Sequence, residues 1–120
     1  MITSQKNRKT ETERTALREI KISPGLSKHS PGSVLISYGN TIVQCSVTIE
    51  NSVPRFMSNR RDGGWLTAEY SMLPTATQTR CERSSYRKVN QRNIEIQRLI
   101  GRSLRNSINL KMLPELTLVV

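Results

Sequence analysis

Arginine is the residue type in this sequence whose number and spacing best suit a chemical role, the binding of anions. In the segment NIEIQRLIGRSLRNSI, Arg98, Arg102 and Arg105 recur at steps of four and three residues, and Glu95 is the one carboxylate beside them. This spacing places the side chains along one side of a helix. Guanidinium groups bind phosphate oxygens as planar, bidentate donors. The row indicates either contact with a phosphate-bearing ligand or a solvated helix face that pairs with Glu95.

Arg92 is the best single candidate for an anion site. It stands at the predicted start of the same helix, where free backbone N–H groups and the positive end of the helix dipole would add to its guanidinium. The competing interpretation is that this side chain simply faces solvent.

Groups suited to acid–base or metal chemistry are scarce. The chain has a single Asp, Asp62, which follows Arg61 and precedes Gly63, so a solvated turn residue is its simplest role. Glu69 is an isolated carboxylate in a β-prone stretch. No Ser-His-Asp, Cys-His or paired-carboxylate constellation can be assembled, and no GxxxxGK[ST] loop is present. Taken alone, the residues predict a basic binding region without a catalytic apparatus.

The charge of the chain points to a polyanionic partner. Nineteen Lys and Arg residues, thirteen of them Arg, oppose nine Asp and Glu residues and give a net charge of +10 at pH 7. Residues 51–105 hold ten Arg and one Lys against four carboxylates, a surplus of +7. Nucleic acid is the favoured partner, with an inert basic surface as the alternative. Arg80 and Arg83 lie in this segment, where they could contact RNA or a neighbouring subunit.

The elements that must position these arginines can be read from the hydrophobic pattern. Two alternating runs around Gly39-Asn40, within GSVLISYGNTIVQCSVTIE, predict a β-hairpin whose apolar face lines a core on one side. The four-residue steps of Ile96, Ile100 and Leu104 predict a helix from about residue 90 to 108, with Asn109 and Pro114 as stop signals.

Shorter elements flank the hairpin and the helix. Alternation predicts a first strand near residues 16–22, and WLTAEYSML is β-prone up to Pro74. Between the hairpin and WLTAEYSML, residues 51–64 are expected to form a long loop tipped with Arg60 and Arg61. LTLVV, residues 116–120, resembles a strand that has just begun, so the chain is expected to be a truncated piece of a domain. Residues 1–14 have no apolar period and predict a flexible basic arm.

Several classes of site and location are disfavoured by the same sequence. The two cysteines, Cys45 and Cys81, form no CxxC pair and are expected to be reduced, and the lone His29 offers no zinc cluster. No apolar run has the length of a membrane span, and the start lacks the apolar region of a signal peptide. We therefore expect a cytoplasmic protein with no membrane partner.

Four stretches together resemble a known family. KHSPGSVLISYGNT, VPRF, GGWLTAEYSMLP and IEIQRLIGRSLR occur in the order and at the spacing of the N-terminal half of the bacterial ribonuclease PH family. The resemblance runs from about residue 15 to residue 120. It implies an α+β fold of the ribonuclease PH-like β-α-β-α type, of which this is the N-terminal half, with a mixed sheet and one main packing helix.

The resemblance also implies a function. Members of the family are phosphate-dependent 3′→5′ exoribonucleases, also described as tRNA nucleotidyltransferases, that trim the 3′ ends of tRNA precursors and other RNA and release nucleoside diphosphates. They form homo-oligomeric, hexameric rings. Inorganic phosphate is the co-substrate and divalent magnesium is expected. Arg92 would bind phosphate, and the RNA-binding or subunit-contact arginines would be Arg80, Arg83, Arg98, Arg102 and Arg105.

The sequence departs from the family pattern in several places. It begins MITSQKNRKTETER rather than with an Arg-Pro-Asp-Gly-Arg type stretch, Thr75 replaces an Arg after MLP, and SSYRKVNQR replaces a Gly- and Lys-rich lead-in to Arg92. The Gly-Gly-Thr-Arg-Thr loop and the aspartates for metal and acid chemistry would follow residue 120. These 120 residues therefore carry no catalytic or metal-ligating residue of the family, and we expect no turnover by this chain alone. A non-catalytic RNA-binding or ring-forming module and an inactive truncated remnant are the alternatives.

Overall fold

A computed structural model describes residues 15–59, 62–83 and 90–120. These residues form an α+β fold, a mixed five-stranded sheet with one helix longer than a single turn among them. The helix α1 spans Gln91–Arg105, and the strands are β1 Ile20–Pro24, β2 Gly32–Tyr38, β3 Thr41–Glu50, β4 Trp65–Thr67 and β5 Thr117–Val119. The strand order β1-β2-β3-β5-β4 places β5 in the sheet between two strands that precede it in sequence.

The predicted hairpin is confirmed. β2 and β3 pair antiparallel, with Val34 opposite Cys45 and Ile36 opposite Val43. The turn between them passes through Gly39 at φ +62°, a left-handed conformation that glycine adopts without the steric penalty of a Cβ.

The first strand begins later than alternation alone predicted. β1 spans Ile20–Pro24 instead of residues 16–22, because its limits are fixed by antiparallel pairing with β2, from Ile20 opposite Tyr38 to Pro24 opposite Val34. Arg18 precedes the strand, and its guanidinium lies 4.3 Å from the centroid of the Tyr38 ring. The predicted arm of residues 1–14 lies outside the described residues.

The strand expected near the end of the sequence is present and lies inside the sheet, next to the edge strand β4. β5 pairs antiparallel with β3 and parallel with β4, so that Leu118 lies between Ile49 and Leu66. The long loop from residue 51 contains a 3-10 turn at Arg55–Met57, and its predicted basic tip, Arg60 and Arg61, lies outside the described residues.

The closest packing of the described residues is at β4. Met57, Leu66 and Ala68 are the buried apolar side chains of the described part of the chain. Phe56 packs edge-on against Trp65, with 5.1 Å between ring centroids. The core is therefore small and lies where the 3-10 turn, β4 and α1 approach one another.

The apolar face of the hairpin does not line a core within the described residues, contrary to the sequence expectation. Ile20, Ile22, Val43 and Ile49 share one face of β1–β3 by register, yet each is between 42% and 63% exposed. The alternation was right, but α1 packs on β4 at the opposite edge of the sheet from β1 and leaves this face open.

The predicted helix is confirmed, with an end at Arg105 rather than residue 108. Asn90 caps its start by accepting a hydrogen bond from the Arg92 N–H at 3.0 Å. Asn109, predicted as a stop signal, instead caps the 3-10 turn Leu110–Met112 that follows. In the described ranges, no helix combines the length and apolar character that crossing a bilayer requires.

Candidate nucleic-acid interface

A cleft of about 310 Å³ opens between α1 and the end of β4. Three guanidinium-bearing residues line it and no carboxylate does; the lining consists of Thr67, Ala68, Ile94, Gln97, Arg98, Gly101, Arg102 and Arg105. Because positive charges gathered at one cleft attract anions to it, the cleft suits a phosphate-bearing ligand. The predicted row of arginines is thus brought together on one flank of the helix.

Arg105 is held by contacts within the protein. Its Nη1 donates a hydrogen bond of 2.9 Å to the backbone carbonyl of Leu66, and its guanidinium carbon lies 4.7 Å from the centroid of the Trp65 ring. The side chain is half-buried. A hydrogen bond and a cation–π contact together fix the plane of the guanidinium against β4.

Arg98 and Arg102 are more open. Arg98 pairs with Glu95 at 3.6 Å, the spacing of three residues that the sequence suggested, and both side chains are more than 60% exposed. Arg102 is exposed and makes no hydrogen bond or ion pair with the described part of the chain. Because an exposed ion pair is weak, both cations remain available to a ligand in the cleft.

Arg92 does not line the cleft. Each residue of a helix advances about 100°, so Arg92 projects about 120° away from Arg98 and about 140° away from Arg105, although only about 80° from Arg102. Its Nη1 lies 3.5 Å from Sδ of Met72. Its backbone N–H, which the sequence analysis counted as free for an anion, donates to Asn90 instead. The guanidinium is exposed, and this capped amide is not available to a ligand.

Arg80 and Arg83 lie within residues 68–83, which follow β4 and contain no helix or strand. Both are exposed, and neither side chain makes a hydrogen bond or ion pair with the described residues. Backbone hydrogen bonds close the chain around Arg80, including Cys81 N–H to the Pro74 carbonyl at 3.0 Å. Their environment is compatible with contact to a ligand or a subunit, and they are not part of the cleft.

The chain is similar to a known protein family. The model of the 3′ exoribonuclease family, domain 1, matches residues 16–120 of the chain. The chain belongs to this family. The ribonuclease PH resemblance drawn from four sequence stretches is therefore confirmed, and so is the α+β fold with a mixed sheet and one main helix.

Membership of this phosphorolytic 3′ exoribonuclease family indicates the class of ligand that suits the cleft. RNA offers a phosphodiester at every nucleotide, and phosphorolysis also requires inorganic phosphate as a co-substrate. Both are oxyanions of the kind that guanidinium groups bind. The charge of the cleft and the chemistry of the family therefore agree.

Six residues that the sequence analysis did not select contribute to the cleft or its walls. Thr67 and Gln97 add polar groups, Ala68, Ile94 and buried Gly101 complete the lining, and Trp65 supports Arg105. Gly101 precedes Arg105 by four residues on α1, so helical spacing would have found it, whereas Gln97 is about 100° around the helix from Arg98. Trp65 and Thr67 are distant in sequence, and no local pattern indicates their position.

The magnesium expected of the family is not matched by a group of ligands here. Throughout residues 15–59, 62–83 and 90–120, no three His, Cys, Asp or Glu side chains stand close enough to hold a metal ion. Asp62 and Glu69 are both exposed and neither lines the cleft. No chemical step is therefore assigned to a metal bound by these residues.

Proposed function

We propose that this 3′ exoribonuclease family domain takes part in phosphate-dependent 3′→5′ trimming of tRNA precursors and other RNA in the cytoplasm. The observation that carries the proposal is the cleft between α1 and β4, which three arginines and no carboxylate line, in a chain whose residues 16–120 match the family. An RNA backbone supplies the negative charge that this cleft lacks.

The proposed reaction transfers one nucleotide from the RNA to phosphate. An oxygen of inorganic phosphate attacks the phosphorus of the last phosphodiester, and the bond from that phosphorus to the 3′ oxygen of the preceding nucleotide breaks. The products are a nucleoside diphosphate and an RNA one nucleotide shorter with a free 3′ hydroxyl. Cationic groups favour this step because they neutralise the charge that brings phosphate and phosphodiester together.

Each arginine has a proposed place in this scheme. Arg92 binds the attacking phosphate through its exposed guanidinium. The RNA-binding side is formed by Arg80, Arg83, Arg98, Arg102 and Arg105. Arg92 and Arg102 are ten residues apart on α1, so about 15 Å along the helix axis separates these two residues. The RNA would therefore reach Arg102 with nucleotides upstream of its 3′ end.

Assembly and carboxylate chemistry complete the proposal. We expect a homo-oligomeric, hexameric ring, as in the family that the sequence resembles. Magnesium and the acid chemistry are expected from groups other than the described residues, since those residues bring no suitable carboxylates together. This chain is thereby assigned binding and orientation of phosphate and RNA.

A second candidate function follows from the same lack of grouped carboxylates in the described residues. The chain would then be a non-catalytic RNA-binding or ring-forming module, or an inactive remnant of such a protein. Its cleft would bind RNA in the same way and no nucleotide would be released.

A single assay separates these functions. The purified protein is incubated with a tRNA precursor carrying extra 3′ nucleotides, with and without inorganic phosphate, and nucleoside diphosphates are measured. Release that depends on phosphate supports the enzyme. Salt-sensitive binding without release supports the binding module. Absence of RNA binding at low ionic strength contradicts both, and the mass of the assembly in solution tests the ring.

A further inference from the structure

Arg105 differs from the other arginines of the cleft because its guanidinium is already engaged. The group donates to the Leu66 carbonyl at 2.9 Å and lies 4.7 Å from the centroid of the Trp65 ring. Trp65 is itself held by Phe56, whose ring meets it edge-on at 84° between the ring planes. The Phe56, Trp65 and Arg105 side chains therefore form a continuous chain of contacts that ends on α1.

The absence of a side chain at Gly101 leaves room for the Arg105 guanidinium. Gly101 is buried one turn before Arg105, and a Cβ at that position would lie 3.2 Å from Arg105 Nη1. That distance is shorter than an ordinary van der Waals contact, so a side chain at position 101 would require the guanidinium to shift by a few tenths of an ångström. β4 is the strand on which α1 packs most extensively in the described residues. Arg105 thus stands at the main junction of the helix with the sheet.

We propose that Arg105 is a positioning residue that clamps α1 to β4 and so orients Arg98 and Arg102 in the cleft, without contacting RNA itself. Arg102 and Arg98 precede it by three and seven residues, about one and two helical turns, so their direction follows the rotation of the helix that Arg105 fixes. The inference rests on the proposed function in one respect, that the cleft binds RNA. On this inference Arg105 supports the RNA-binding side by orienting Arg98 and Arg102, and it does not touch RNA.

The salt dependence of RNA binding separates positioning from contact. Each phosphate that a cation neutralises contributes about −0.7 to the slope of log affinity against log salt for single-stranded nucleic acid. A residue that touches RNA changes both affinity and slope when its charge is removed. A residue that only orients others changes affinity and leaves the slope near that of the unaltered protein.

The first experiment measures binding of a fluorescein-labelled single-stranded RNA over a range of salt concentrations. The variants are Arg105→Gln, Arg105→Lys and Arg102→Gln. Lys28→Gln is the matched control, because exposed Lys28 lies between β1 and β2, and β1 is at the opposite edge of the sheet from β4. It calibrates the effect of losing one charge anywhere on the protein.

Both Arg105 variants are expected to bind RNA about threefold to tenfold more weakly than the unaltered protein. Their slope of log affinity against log salt is expected to be as steep as that of the Lys28→Gln control, or steeper. Arg105→Lys keeps the charge but loses the planar fork that stacks on Trp65 and reaches the carbonyl. Arg102→Gln is expected to flatten the slope by about 0.7. If Arg105→Lys binds as well as the unaltered protein while Arg105→Gln flattens the slope like Arg102→Gln, Arg105 contacts RNA and the proposal is wrong.

The second experiment needs no RNA. Trp65 is the single tryptophan of the chain, so its fluorescence reports directly on the clamp. Both Arg105 variants are expected to shift its emission to longer wavelength and to increase its quenching by acrylamide, with unchanged helix content by circular dichroism. Unchanged Trp65 emission in both variants would overturn the clamp. If the emission shifts in the variants but the unaltered protein does not bind RNA, the clamp is supported and the proposed function is refuted.

Discussion

The helix corner and the open sheet of this domain differ in both packing and charge. The helix corner comprises the 3-10 turn Arg55–Met57, β4 and α1, and the open sheet comprises β1, β2 and β3. The buried apolar side chains of the described residues cluster at the corner, with Leu66 at 4% exposure. On the open sheet Ile22 is 63% exposed.

Charge follows the same division. Residues 15–50 hold three cations against two carboxylates, whereas residues 51–105 hold eleven cations against four. The basic segment includes the best packed strand, and its open arginines are carried on the helix that packs against that strand. A rigid support lets guanidinium groups keep a fixed direction toward a ligand. The open sheet has neither the packing nor the charge for that role.

The strongest test of the comparison replaces one apolar side chain in each region. Leu66→Ala is expected to lower the free energy of unfolding by about 2–4 kcal/mol, since it removes buried methyl groups and leaves a cavity. Ile42→Ala, at a position 64% exposed, is expected to cost less than about 1 kcal/mol. Urea denaturation followed by circular dichroism measures both. Equal losses would show that the open sheet contributes as much stability as the helix corner.

A second test concerns the turn of the open sheet. Gly39→Val is expected to cost about 1–2 kcal/mol, because a β-branched residue is strained at a φ of +62°. A Cβ there would also lie 3.1 Å from Arg18 Cδ. Gly39→Asn is the control, since asparagine tolerates this conformation better. If the two variants melt alike, the turn conformation does not limit the stability of the open sheet.

A third test concerns the start of α1. Asn90→Ala removes the side-chain acceptor of the Arg92 N–H and is expected to cost about 1 kcal/mol of stability. Asn106→Ala, at the other end of the helix, should change stability by no more than a few tenths, because the Asn106 side chain makes no hydrogen bond in the described ranges. Thermal denaturation compares them. A larger loss for Asn106→Ala would contradict the assigned cap.

The smallest expected effect concerns the ion pair beside the cleft. Glu95→Gln frees Arg98 from its carboxylate partner and is expected to raise RNA affinity about twofold at low salt. Glu50→Gln removes an equal charge at the end of β3, on the open sheet, and serves as the control. An equal gain in both, measured by filter binding, would show that only net charge matters and that the cleft has no special part.

Local features of the fold were predictable from the sequence, and their limits were not. The hairpin around Gly39 and the helix with Arg98 beside Glu95 follow from periods and spacings within a few residues, and the structure confirms them. The limits of β1 depend on its register with β2, which alternation does not encode. The open apolar face could not be foreseen either, because it depends on which strand α1 packs against.

The candidate site was predictable in composition and not in arrangement. Helical spacing placed Arg98, Arg102 and Arg105 in one row, and they do line one cleft. The engagement of Arg105 depends on Trp65, forty residues earlier in the chain, a contact that only the tertiary fold creates. The cap at Asn90 was within reach of the sequence, because asparagine at a helix start commonly accepts this hydrogen bond.

The position of β5 sets an order of events when the chain is made on the ribosome. β4 and α1 emerge before β5, yet among the described strands β4 pairs only with β5. The hairpin can form as soon as its two strands are synthesised, because its contacts are local. The arginine-bearing helix must wait for Thr117–Val119 before it is attached to the hairpin. Until then, β4 and α1 are not yet joined to the three strands β1, β2 and β3.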